Sequence, residues 1–172
     1  MRLLRFARYP QSSPLPVDKK PILAQIIAAL AAELETLSTA AREARENATD
    51  QEAKAEDKYD TRALESSYLA DGQGRAALEA KEALDAYQAL VLRDFGPVEP
   101  IALTALVELE QGGKRELYFL GPRNGGITVE HDGKEILVVT PQSPIGRKLL
   151  GRITGATVAL DNGREGKITR VV

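Results

Sequence analysis

The chain has 172 residues, with 23 Lys and Arg against 25 Asp and Glu, one His and neither Cys nor Trp. Without cysteine there can be no disulfide framework, no thiol nucleophile and no Cys-ligated zinc site. The single imidazole, His131, excludes a multi-His metal centre. An aromatic content of 5% and a net charge of −2 argue against a stacking platform for single strands and against a general pull toward DNA or an anionic membrane.

Residues 1–17 form a leader. Arg2, Arg5 and Arg8 recur at three-residue spacing, and Pro10, Pro14 and Pro16 then hold the chain extended. Its apolar runs are too short for a membrane span. A long helix is expected from Asp18, which caps it, with Pro21 tolerated in the first turn. Its apolar residues step by four and three through Leu23, Ile27, Leu30, Leu34, Leu37, Ala41, Ala44 and Ala48, the 3.5-residue repeat of a coiled-coil seam. A second seam is expected along Leu69, Gly72, Ala76, Ala83, Ala86 and Leu90, interrupted by Glu79. The two stripes predict an antiparallel hairpin over residues 18–95, its tip near 49–60, with arms that project roughly 45–50 Å at 1.5 Å per residue.

Gly96-Pro97 ends the helical region, and twelve of the fourteen glycines lie beyond it. Residues 96–172 predict a small antiparallel sheet. Strands at Ile101–Glu110 and Arg115–Leu120 flank a Gly-Gly turn, Ile127–His131 and Glu135–Thr140 flank Asp132-Gly133, and Ala156–Leu160 and Glu165–Val171 flank Asn162-Gly163. One short helix is expected after Ser143 as cap, with Pro144 at its first position, Leu149 and Leu150 inward and Gly151 as stop. The fold class is therefore α+β. His131, beside its turn, reads as an exposed strand end. Tyr59 and Tyr68 are expected to lie along the hairpin.

The tip carries the chemistry. Asp50, Glu52, Glu56, Asp57 and Asp60 crowd into eleven residues with Lys54 and Lys58, and Arg42, Arg45 and Arg62 stand beside them. Carboxylates at an apex can share Mg²⁺ with a phosphate-bearing site, or simply be solvated and cap the second helix. The three arginines suit RNA phosphate, or pair along the helix with neighbouring acids such as Glu46.

Two segments resemble the bacterial transcription elongation factors of the GreA/GreB family. Glu43-Ala-Arg-Glu46 with Ala55-Glu56 is similar to that family's hairpin tip. Val139-Thr-Pro-Gln-Ser-Pro-Ile-Gly-Arg-Lys-Leu-Leu-Gly151 is similar to its more specific Ser-Pro block. The resemblance covers residues 18–172. It implies an FKBP-like C-terminal domain docking at the rim of the RNA polymerase secondary channel, with Ile145, Gly146 and Arg147 available for contact. The coiled coil then enters the channel, and a tip Asp and Glu three residues apart hold a second Mg²⁺ beside the nascent RNA, which the polymerase itself cleaves. This chain departs from that pattern. Aligned without a gap, Thr49 falls at the family's Asp and Glu52 at its Glu. With one inserted residue, Asp50 and Ala53 fall there. Asp57 and Asp60 restore the spacing, displaced toward the second helix. The candidate tip acids are thus Asp50, Glu52, Asp57 and Asp60, with Mg²⁺ shared rather than tightly bound and no catalytic residue of the protein's own. The same resemblance makes the leader a subgroup extension or an upstream start.

Other readings stay open. A non-cleaving occupant of the channel, a Rnk-like regulator with a shorter coiled coil, or a structural coiled-coil adaptor all use the same elements, and the missing cysteines exclude a zinc regulator of the DksA type. Prolyl isomerase activity needs an aromatic-lined pocket, and Tyr118 and Phe119, adjacent in one strand, point to opposite faces. The chain is expected to be a cytoplasmic monomer that contacts polymerase and no membrane.

Overall fold

The computed structural model describes residues 17–54, 61–160 and 163–172, with the backbone alone for 51–54 and 61–63. Helix α1 spans Lys20–Lys54 and α2 spans Thr61–Gln88, paired as the expected hairpin. The Asp18 carboxylate accepts the Lys20 N–H at 3.0 Å, capping α1 as the sequence implies. Of the leader, residues 1–16 lie outside the described residues, while Val17 is partly buried against the first core layer.

Six strands follow: β1 (Leu106–Gln111), β2 (Lys114–Leu120), β3 (Thr128–His131), β4 (Lys134–Val139), β5 (Thr157–Ala159) and β6 (Glu165–Val171). Between β4 and β5 lies α3, Pro144–Leu149. The sheet order is β3-β4-β2-β1-β6-β5. Every pairing is antiparallel except β2 with β4, which run parallel with Leu117 opposite Ile136. The exception follows from connectivity: the chain leaves β2 over residues 121–127, places β3 at the edge, and returns β4 between β3 and β2.

The sheet buries both faces. Leu106, Phe119, Val129, Ile136 and Val138 meet Ile22, Ile26 and Leu30 of α1 and Ala83, Leu84 and Tyr87 of α2 on one side. On the other, Val107, Leu109, Leu120, Val139, Ile168 and Val171 pack with Leu149 of α3 and with Phe95, Ile101 and Ala105. Tyr118 belongs to this second layer and Phe119 to the first, so the sheet itself separates the two aromatics.

Four expectations are corrected. The expected seam of α2 holds at Ala76, Ala83, Ala86 and Leu90, which are covered, but toward the tip the covered positions shift to Ser66, Ala70, Gln73 and Ala77, and Ala80, Leu84 and Tyr87 are buried beside the expected stripe. Leu69 is 58% exposed and Gly72 lies outside. Glu79 interrupts nothing, because Ala80 occupies that level of the seam. Near the base, α1 turns Ile22, Ile26 and Leu30 fully inward while Leu23 and Ile27 are half-buried, because the sheet as well as α2 must be covered there. Tyr68 is 68% exposed rather than lying along the seam; Tyr59 falls outside the described residues. Finally, β1 starts at Leu106, five residues later than Ile101. Thr104 takes φ 74°, a left-handed conformation rare for a β-branched residue, and extended backbone cannot run through it.

Thr104 is held in that conformation by its neighbours. Its N–H donates to the Leu120 carbonyl at 2.8 Å, its hydroxyl accepts from the Arg93 N–H at 3.2 Å, and its carbonyl accepts from Lys19 Nζ at 3.0 Å. Lys19 is 4% exposed, also donates to the Arg93 carbonyl, and sits 5.0 Å from the Phe95 ring centre. One ammonium thereby ties the start of α1 to the segment leaving α2 and to the sheet. Burial is the largest influence on its pKa and lowers it to about 8; Asp94 raises it and Arg93 lowers it further.

Removing that ammonium strands two inward-facing carbonyls, so Lys19→Met is expected to lose about 1–3 kcal/mol of unfolding free energy in urea titrations at pH 7. Because the native group binds its proton less tightly than the unfolded one, wild-type stability should rise relative to the variant as pH goes from 8 to 10. A parallel pH dependence of both proteins would contradict this.

Candidate functional site

Two regions are placed to act on a partner: the far end of the hairpin, and the shoulder formed by α3 and the segment that follows α2.

The hairpin is anchored at its base. Gln25 uses both ends of its amide on Glu130, donating to the carbonyl at 2.7 Å and accepting the N–H at 3.2 Å. This pairs the edge strand β3 as another strand would. Glu33 accepts from Asn124 at 2.9 Å, Arg123 donates to Glu82 at 2.7 Å, and the Tyr87 hydroxyl donates to the Arg123 carbonyl at 2.9 Å. Gly121 is required beneath that ring, since a Cβ there would lie 1.9 Å from the Tyr87 hydroxyl oxygen. These contacts reach only as far as about Leu37 on α1, where a cleft lined by Leu37, Ala76, Arg123 and Gln142 opens. The arm that projects past the domain is therefore residues 38–54, about 25 Å at 1.5 Å per residue, roughly half of what the whole helix length suggests. Along it the seam is closed by small residues, Ala44 and Ala48 being 8% and 7% exposed.

Asp50 is exposed on the penultimate turn of α1, which continues through Glu52 to Lys54. Positions 50 and 52 thus lie toward the end of α1 where the helix dipole is negative, the end that disfavours acids. Stabilisation of α1 does not explain their presence. Positions 50 and 52 are about 200° apart around a helix axis, so the two do not share a face. Asp57 and Asp60 fall outside the described residues, as does the side chain of Arg62. Among the described residues no cluster of three metal-ligating side chains forms. Arg42 and Arg45 are exposed on α1 and make no ion pair among the described residues.

At the shoulder, α3 starts as expected. Ser143 Oγ accepts the Gly146 N–H at 3.1 Å and donates to the Thr140 carbonyl at 2.8 Å, Pro144 takes the first turn, and Gly151 follows with φ 75°. Of the three expected contact residues, only Arg147 is exposed. Ile145 is half-buried against the core, and Gly146 is buried, because a Cβ there would stand 1.9 Å from the Thr140 carbonyl oxygen. Leu150 is 44% exposed, contrary to its expected inward position; a helix turns 100° between Leu149 and Leu150, and only Leu149 meets the sheet. The Ile101 carbonyl accepts from Gly151 at 2.9 Å and its N–H donates to Arg152 at 2.8 Å. These bonds hold side by side the segments that carry Val98, Leu103, Leu150 and Ile153, all exposed, with Arg147 and Arg152 at the margin. Sequence patterning did not reveal this surface: Leu150 is expected to face inward, and Leu103 falls inside the strand expected at Ile101–Glu110.

No family model matches the chain, and no curated protein matches it. Solved structures do resemble it. The GreA factor homolog 1 (Gfh1) protein of Thermus thermophilus is 21% identical, covers 85% of this chain and 94% of its own, and has a TM-score of 0.35. Gfh1 of Thermus aquaticus is 20% identical over 84% of this chain and 92% of its own, with a TM-score of 0.35.

By length and composition alone α1 could cross a membrane. Much of its apolarity is alanine, and Ile22, Ile26 and Leu30 are committed to the sheet.

Replacing Gly146 with Ala should destabilise the fold by about 2–3 kcal/mol through the clash with the Thr140 carbonyl. Arg147→Glu on the surface should change stability by less than about 0.5 kcal/mol. Thermal melts of the two variants compare them directly; equal melting temperatures would show that Gly146 is not a packing glycine.

Proposed function

We propose that this protein binds bacterial RNA polymerase and modulates elongation by placing the end of its helical hairpin in the secondary channel. One observation carries the reading: a firmly based two-helix arm presents the exposed Asp50, with position 52 following on the last turn, near the helix terminus least able to stabilise an acid. The resemblance of residues 139–151 to the GreA/GreB Ser-Pro block adds to it, and that segment holds its own sharply defined turn and helix. In this reading the apolar shoulder bearing Val98, Leu150 and Ile153, rimmed by Arg147 and Arg152, docks against the polymerase rim. The arm supplies reach, and Arg42 and Arg45 lie along the path of nascent RNA.

The chain performs no bond cleavage itself; hydrolysis of backtracked RNA, and the metal ions it uses, belong to the polymerase. The angular separation of positions 50 and 52 favours a second form of the same reading, in which the hairpin occupies the channel and blocks it without promoting cleavage.

Stalled, backtracked polymerase complexes distinguish the two. Shortened transcripts that disappear with Asp50→Ala/Glu52→Ala identify a cleavage-promoting tip. No shortening, together with protection against an added cleaving factor, identifies an occupying one. Failure to bind polymerase at micromolar concentration overturns the proposal.

A further inference from the structure

The outer face of α2 is not uniformly polar. Opposite its covered seam, and stepping four, three, four and three, stand Leu64, Tyr68, Asp71, Arg75 and Leu78. Leu64, Tyr68 and Leu78 are 56%, 68% and 57% exposed, and Asp71 and Arg75 are exposed as well. Isolated apolar side chains on a surface need no explanation, but these form one straight stripe of about 20 Å. Among the described residues neither Asp71 nor Arg75 has an ion-pair partner.

Two glycines sit beside the middle of the stripe, one on each flank. Gly72 and Gly74 are poor helix formers, and a Cβ at either would meet nothing within 4 Å. Among the described residues no neighbour requires them to be small.

The stripe complements itself when reversed. With a two-fold axis between positions 71 and 72, Tyr68 of one copy stands opposite Arg75 of the other, and Asp71 stands opposite Gly72. Leu64 and Leu78 fall within one residue, about 1.5 Å along the axis, of each other. The pairing places a guanidinium against a tyrosine ring twice, meets leucine with leucine at both ends, and keeps the two Asp71 carboxylates from stacking. Gly72 and Gly74 let the backbones approach.

We propose that the outer face of α2 is a self-association surface that pairs the hairpins of two copies in antiparallel orientation. The contact is one helix face about four turns long, below the size of a stable interface, so the dimer forms weakly, with a Kd on the order of 100 µM. This pairing is independent of the function proposed above. Only its consequence rests on that reading: a paired hairpin is too wide for a channel that admits one, so association would withhold the arm.

Sedimentation of the full chain from about 1 µM to 1 mM tests it. Wild type should pass from monomer to dimer, and Leu64→Ser/Leu78→Ser should weaken association at least tenfold with unchanged helical circular dichroism. The native chain has no cysteine, which permits a second readout. Gly72→Cys should form disulfide dimers under mild oxidation, whereas Thr36→Cys, exposed on α1, should not. A monomer at every concentration, or equal crosslinking from both positions, overturns the proposal.

Discussion

Everything the hairpin does depends on how its base is seated. Ile22, Ile26 and Leu30 from α1 and Tyr87 from α2 are completely buried against Phe119, Ile136 and Val138 of the sheet. Burial of each large apolar side chain is worth roughly 1.5–3 kcal/mol as an upper range. Each alanine methyl along the projecting arm contributes about 0.8 kcal/mol at most. The energy is concentrated where the helices leave the domain and is thin where they project. Such an arm is directed by its root, and its far end has little packing of its own to resist a partner's shape.

The polar links reinforce that arrangement. Gln25, Glu33, Glu82 and Tyr87 hold the edge strand β3 and the loop after β2, while Lys19 fastens the other side. The exposed pairs among them contribute little free energy individually. Their value is geometric, since several links on different sides of the root leave one orientation. Thr104, strained at φ 74° and bonded through its amide, hydroxyl and carbonyl, sits where α1, the linker and the sheet meet.

The architecture was legible from periodicity and punctuation. The paired helices, the Asp132-Gly133 turn between β3 and β4, and the Ser143-Pro144 start of α3 each appear where the pattern places them. Phase and exposure were harder to read. An alanine-rich helix offers two plausible stripes one residue apart, and at the base both are covered, because α2 meets the sheet through Ala83, Leu84 and Tyr87 as well as facing α1. The onset of β1 was hidden because nothing in a Thr side chain announces a left-handed backbone. The shoulder of Val98, Leu150 and Ile153 was invisible for a similar reason, since a leucine in a short helix reads as core until its neighbour has taken the inward position. At the tip, the sequence supplied carboxylates and their spacing, while the direction of each depends on how far α1 continues. Its extension to Lys54 is what sets Asp50 and Glu52 apart.

The proposed function places the end of this arm at the catalytic centre of RNA polymerase. A short photocrosslinker on a cysteine at Thr49, the only thiol in such a chain, measures that directly in a backtracked complex carrying labelled RNA. Insertion of the arm should give crosslinks to the RNA 3′ segment and to the active-centre region of the polymerase, competed away by unlabelled protein. Crosslinks confined to the outer surface of the polymerase would contradict it.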